Sequence, residues 1–197
     1  MTTSHNFLLA GVGGQGTILA SNVLADVALK AGLDVKKSEV HGMAQRGGSV
    51  NTHVRWDAEQ VYSPLTGLGE VDFLLVFEEA EALRYAEYLK PGGTAVVNRH
   101  TIMPITVTSG GAHYPAEEEL LAAYAQLTDH LHLVPGTQVA RELGNIRAAN
   151  VVLLGALSTF LDIPKETWLE VIGSRVPAKY VGLNHRAFLK GRKVVAS

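Results

Sequence analysis

No cysteine occurs anywhere in the 197-residue chain. The protein therefore has no disulfide, no thiolate-bound zinc, no cysteine-ligated iron–sulfur cluster and no thiol nucleophile of its own, and an electron carrier of that kind must sit on a partner. An excess of charge of one sign is missing too: 17 Lys and Arg stand against 19 Asp and Glu, with no basic run. Nucleic-acid and anionic-membrane binders usually carry such a run, so neither partner is expected. The longest apolar stretches fall far short of the roughly 18 residues that suggest a membrane span, and the first six residues lack the basic segment of a secretion signal. A cytoplasmic protein is expected. The G-x-S-x-G elbow, the H-E-x-x-H zinc motif and the Walker lysine are absent as well, which removes support for self-contained hydrolases and P-loop enzymes.

What is present is an alternation of short apolar runs with amphipathic segments. Phe7–Ala10 reads as a buried strand that stops at a glycine cluster, and Thr17–Ala31 repeats its apolar residues at helical spacing up to Gly32. Asp34–Val40 reads as a second strand. Gly48–Trp56 reads as a third, with Ser49, Asn51, His53 and Arg55 on a wet face. Val71–Phe77 and Thr94–Asn98 are further strands, separated by a helix over Glu79–Leu89 and a stop at Lys90-Pro91-Gly92-Gly93. A short strand is expected at Ile105–Thr108, a helix at Ala116–Leu127 and a strand at His130–Val134. Asn150–Leu161 is apolar on nearly every side and reads as a buried helix, followed by helices over Lys165–Arg175 and Lys179–Leu189. The expected fold is α/β: a single Rossmann-like domain over residues 1–197, with a mainly parallel sheet flanked by helices and a helical C-terminal third.

Gly11-Val12-Gly13-Gly14-Gln15-Gly16 satisfies G-x-G-x-x-G in the strand-to-helix context that the motif needs. Its glycines permit a tight turn and close backbone approach, and amides at the start of the following helix offer a site for phosphate. The same glycines also serve if they only let helix and sheet pack closely. Glu39 lies at the spacing of the acidic residue that holds a dinucleotide ribose. It is followed at once by His41-Gly42-Met43-Ala44-Gln45-Arg46-Gly47-Gly48, a loop in which Arg46 beside two glycines suits an anion clamp or, more simply, a surface arginine before a flexible turn. His130 and His132 could begin a metal site, but no third ligand is evident and none is expected. Glu117, Glu118 and Glu119 fall in the first turn of a helix, where negative charge complements the dipole.

Taken together, Gly11–Gly16 and Ser38–Val50 resemble the gamma-type domain of 2-oxoacid:ferredoxin oxidoreductases. The His41–Gly48 variant looks most like small subunits of the indolepyruvate branch. Asp72–Glu78, Leu89–Gly93 and Gly144–Ala156 fit as well, so the resemblance covers about Phe7 to Leu161. It implies oxidative decarboxylation of a 2-oxoacid to an acyl-coenzyme A, with electrons passed to ferredoxin. It also implies that thiamine diphosphate, its magnesium ion and the iron–sulfur clusters belong to a larger partner subunit, since this chain has neither cysteine nor a Gly-Asp-Gly…Asn diphosphate motif. Coenzyme A is the ligand expected here, held by Gly11, Gly13, Gly14, Gln15 and Gly16 or by the Glu39, His41, Gln45, Arg46, Gly47 and Gly48 region. No catalytic residue is assigned. The alternatives are an independent NAD(P)-dependent Rossmann oxidoreductase using Glu39, and a non-catalytic nucleotide- or coenzyme-binding module.

Overall fold

In the computed structural model, residues 4–41 and 48–196 are described. The first strand, β1 (His5–Val12), is apolar on both faces because it lies inside the sheet. Phe7 and Leu9 enter one core cluster while Leu8 and Ala10 enter the other. Helix α1 (Thr17–Lys30) follows and is closed by Gly32, whose left-handed φ of 84° turns the chain. Strands β2 (Asp34–His41) and β3 (Ser49–Asp57) come next, then β4 (Val71–Val76), α2 (Glu79–Tyr85), β5 (Leu89–Asn98), a single turn α3 (Ile105–Thr108) and α4 (Glu117–Ala125). The chain closes with β6 (Leu131–Val134), α5 (Gly136–Glu142), α6 (Ala149–Leu157), α7 (Lys165–Arg175) and α8 (Val181–Ala196).

These strands form one six-stranded sheet in the order β2-β3-β1-β4-β5-β6. β1, β4, β5 and β6 pair in parallel, whereas β3 is antiparallel to both β1 and β2. β2 therefore runs in the direction of β1 but is held one strand away from it. α1, α6, α7 and α8 cover one face of the sheet, and α2 and α4 cover the other. The mainly parallel α/β fold with a helical C-terminal third is as the sequence indicates.

Three local expectations need correction. Ile105–Thr108 is a helical turn: it starts after Pro104, and its β-branched residues find no neighbouring strand to pair with. Lys90-Pro91-Gly92-Gly93 is not a stop before a strand but the opening of β5, where the register against β4 slips between Val71 and Phe73. The preceding helix accordingly ends at Tyr85 and tightens into a 3-10 turn over Ala86–Tyr88. His53 is not on a wet face. It is buried, its Nδ1 accepts the Thr66 amide, and Tyr88 meets its ring edge-on, because α2 and the segment after β3 cover that side.

α6 and α8 touch backbone to backbone. A Cβ on Gly155 would lie 2.1 Å from the Phe188 carbonyl oxygen, and one on Gly191 would lie 1.8 Å from that of Val152. Alanine at either position is expected to cost about 3 kcal/mol in denaturant unfolding, since backbone yields less readily than a side chain. Gly32→Ala meets no neighbour and should cost about 1–2 kcal/mol from its left-handed backbone alone. Equal losses at all three sites would contradict the close helix contact. Burial also holds the imidazoles of His5, His53 and His132 below their ordinary value. The unfolded chain then binds protons more readily than the folded one. Stability present above about pH 6.5 should therefore be lost as pH falls below it, read as a declining Tm in a pH series.

Candidate functional site

The turn that joins β1 to α1 is built around Gln15. Its Oε1 accepts the Val12 amide at 2.7 Å, and its Nε2 donates to the Phe77 carbonyl at 2.8 Å. The side chain thus clips the turn to the end of β4. Gly14 and Gly16 have φ of 106° and 81°, which a side chain would strain. Gly11 is needed for closeness instead, since a Cβ there would lie 2.7 Å from Gln15 Oε1 and 2.9 Å from Phe77 Cβ. On the far side of the turn, Asn150 at the start of α6 donates from Nδ2 to the Gly16 carbonyl at 3.2 Å. On the near side, the Gly13 amide donates to the Gly48 carbonyl at 2.9 Å, tying the turn to the foot of β3.

The Phe77 carbonyl accepts a second amide, Asn98 Nδ2, at 3.1 Å. That group also donates to Thr137 Oγ1 at 2.9 Å, while Asn98 Oδ1 accepts the Thr137 amide at 3.2 Å. A continuous polar seam therefore crosses the carboxyl ends of β1, β4 and β5 and the start of α5. Over it opens a cavity of about 380 Å³ lined by Gly14, Gly16, His100, Arg147 and Asn150, among others. Two buried atoms at the turn, Asn150 Oδ1 and Thr17 Oγ1, have no hydrogen-bond partner. An orphaned acceptor of this kind costs roughly 1–3 kcal/mol until something donates to it. The exposed Arg147 stands between this cavity and a smaller one of about 140 Å³ lined by Val176, Pro177 and Tyr180.

First-turn amides of α1 and the Arg147 guanidinium together form a set of donors suited to a phosphate. Asn150 Oδ1 adds an acceptor for a neighbouring hydroxyl or N–H group. The cavity is a candidate binding site, in the place where α/β sheets bind ligands, outside the carboxyl ends of the strands. Among the described residues, no three His, Asp or Glu side chains gather to hold a metal ion.

Of the residues singled out in the sequence, Gly11, Gly13, Gly14, Gln15, Gly16 and Gly48 come together at this edge. Gly11 and Gln15 serve its construction. Glu39 lies elsewhere, on β2 beyond the intervening β3, with its carboxylate 2.5 Å from Lys37 Nζ. A dinucleotide-binding sheet needs that acidic group at the end of the strand next to β1, and here β3 occupies the position. The NAD(P) alternative is thereby disfavoured. His41 ends β2, and Gln45, Arg46 and Gly47, with the rest of the segment 42–47, lie outside the described residues. His130 falls just before β6 and His132 within it, against the ring of Phe160. Sequence reasoning missed Asn98, His100, Thr137, Arg147 and Asn150. The usable signal was a polar residue at the end of one apolar element, Asn98, and at the start of another, Asn150.

Residues 6–194 match the family model described as pyruvate ferredoxin/flavodoxin oxidoreductase. The chain belongs to this family. Within it, the chain is 42% identical over 192 residues to the indolepyruvate oxidoreductase subunit IorB of Thermococcus kodakarensis, covering 96% of this chain and 95% of that protein. The IorB subunit of Archaeoglobus fulgidus is 38% identical over 188 residues, with 94% and 92% covered. The fold is that of the keto/oxoacid ferredoxin oxidoreductase gamma subunit from Geobacter sulfurreducens, with a TM-score of 0.72 at 24% identity and 98% of both chains covered.

The close approach at Gly16 is testable. A methyl group there would meet both a strained φ and Asn150 Nδ2 at 2.4 Å, whereas at Gly14 it would meet open space. Gly14→Ala should cost about 1–2 kcal/mol of stability. Gly16→Ala should cost at least about 1 kcal/mol more, through the displaced Asn150 amide. Identical unfolding free energies for the two variants would separate Asn150 from the turn.

Proposed function

We propose that this chain is the small, gamma-type subunit of a 2-oxoacid:ferredoxin oxidoreductase acting on an arylpyruvate of the indolepyruvate kind. The observation that carries this reading is the 42% identity, along nearly the whole of both chains, to a protein named as an indolepyruvate oxidoreductase subunit. The overall reaction converts a 2-oxoacid, coenzyme A and two oxidised ferredoxins into an acyl-coenzyme A, carbon dioxide, two reduced ferredoxins and a proton. Thiamine diphosphate with magnesium supplies the decarboxylation and iron–sulfur clusters accept the electrons. A chain without cysteine cannot ligate such clusters through thiolates, so they belong to a larger partner subunit, which also hands electrons to ferredoxin.

The share of this chain, acting as one domain over residues 1–197, is to bind and orient coenzyme A. The donor set at the Gly11–Gly16 turn, with Arg147 and the unpartnered Asn150 Oδ1, fits a phosphate with a hydrogen-bonding group beside it. Arg46, which stands between β2 and β3 in the sequence, is the second cation offered for the phosphates of this ligand. Holding the nucleotide end leaves the thiol arm to reach the reacting carbon on the partner. Support for coenzyme A comes also from the structurally similar 2-oxoglutarate:ferredoxin oxidoreductase of Magnetococcus marinus, described with 2-oxoglutarate, coenzyme A and succinyl-CoA bound (TM-score 0.75; 32% of that chain covered).

Arg147→Ala in the assembled complex should raise the KM for coenzyme A about 10-fold or more, the effect of removing a charge-assisted contact of roughly 1.5–3 kcal/mol. The KM for the oxoacid should stay unchanged. Steady-state kinetics with arylpyruvate, pyruvate and 2-oxoglutarate measure both and rank the substrates. An unchanged coenzyme A dependence would remove Arg147 from the site, and faster turnover of 2-oxoglutarate would reassign the oxoacid. The purified chain alone should turn over no 2-oxoacid. Turnover with NAD(P) by the lone chain would replace the reading altogether.

A further inference from the structure

Among the described residues, no strand pairs with the outer side of the sheet's first strand. β2 is the terminal strand, eight residues long, and every one of them is in register with β3. It contains neither proline nor glycine, so nothing within it bends or interrupts the outer row of main-chain donors and acceptors. Proteins usually blunt such an edge by shortening or bulging it. The opposite edge, β6, has only four residues.

Charge along β2 selects one way of closing it. Directly opposed residues of an antiparallel pair place their side chains on the same face. A two-fold axis normal to the sheet must therefore pass through a residue, not between two. With Lys36, Lys37 or Glu39 on the axis, that residue would oppose its own copy, and like charges directly opposite destabilise. With Ser38 on the axis the conflict disappears. Lys37 then faces Glu39 of the second copy twice over, and Lys36 faces Val40. Lys37 and Glu39 already lie side by side within one chain at 2.5 Å, so pairing of two copies completes a ring of four alternating charges.

The neighbouring face of α1 adds apolar area. Ile18, Asn22, Ala25 and Leu29 fall on one stripe at helical spacing. Asn22 Oδ1 receives Lys37 Nζ at 2.5 Å, which sets that stripe beside the open edge. Ile18 and Leu29 are 43% and 57% exposed. The geometry points to a two-fold contact between two copies of this chain, made by antiparallel pairing of β2 with itself about Ser38. Two six-stranded sheets then become one.

The absence of cysteine makes the test clean, because Ser38→Cys introduces a single thiol. Opposed residues in such a pair lie about 4.5–5.5 Å apart at Cα, within disulfide reach. Val40→Cys would meet its copy four residues out of register, about 13 Å away. Oxidised full-length Ser38→Cys should run as a covalent dimer on non-reducing gels, and Val40→Cys as a monomer. In sedimentation, the native chain should have dimer mass. Lys37→Glu or Glu39→Lys alone should weaken association at least about tenfold, and the two together should restore it. Far-UV circular dichroism checks the fold of each charge variant, while the near-isosteric Ser38→Cys carries the test if one of them unfolds. A native chain that stays monomeric across the micromolar range would overturn the inference. So would equal cross-linking at Ser38 and Val40, or a dimer indifferent to both single charge reversals.

Discussion

The carbonyl oxygen of Phe77 is the point on which the ligand edge depends. It sits just past the end of β4 and accepts two side-chain amides, Gln15 from the turn after β1 and Asn98 from the end of β5. A backbone carbonyl has two lone pairs, and filling both with carboxamides ties three strand ends together without a charge. Each carboxamide then spends its other end locally, Gln15 on the Val12 amide and Asn98 on the Thr137 amide. Neither can shift without leaving a buried group unpaired. The cavity floor is rigid for that reason, and Asn150 and Arg147 stand at its wall.

The antiparallel β3 shapes everything on the other side of β1. Inserted between β1 and β2, it carries the Gly48 carbonyl to the Gly13 amide and so seats the glycine turn. It also pushes β2 to the margin, which takes Glu39 out of reach of a ribose bound at the turn and makes that eight-residue strand the end of the sheet. One insertion thus explains both why the glycine motif does not make a dinucleotide enzyme and why a second copy has a surface to pair with.

Around the cavity stand the carboxamides of Gln15, Asn98 and Asn150, the Thr137 hydroxyl, the His100 imidazole and the Arg147 guanidinium. Burial of the strands on both faces and the backbone contact between α6 and α8 give the turn a stiff support. The proposed binding of coenzyme A rests on that stiff support.

Much was legible in the residues themselves. Apolar runs such as Phe7–Ala10 and Val71–Phe77 are strands because nothing else of that length can be buried on both faces, and Gly13, Gly14 and Gly16 read as a turn because few other residues permit it. The lack of cysteine excluded a thiolate-ligated cluster on this chain, and the pair of glycine-rich motifs pointed to the family. Tertiary structure decided the rest. His53 alternates with apolar neighbours as a wet residue would, yet it is covered by Thr66, 13 residues on, and by the ring of Tyr88. Ile105–Thr108 has strand-forming side chains but no strand to pair with. Arg147 and Asn150 stand more than 130 positions from the turn they serve, a distance over which local propensity carries no information; only the packing of α6 against α1 brings them to it.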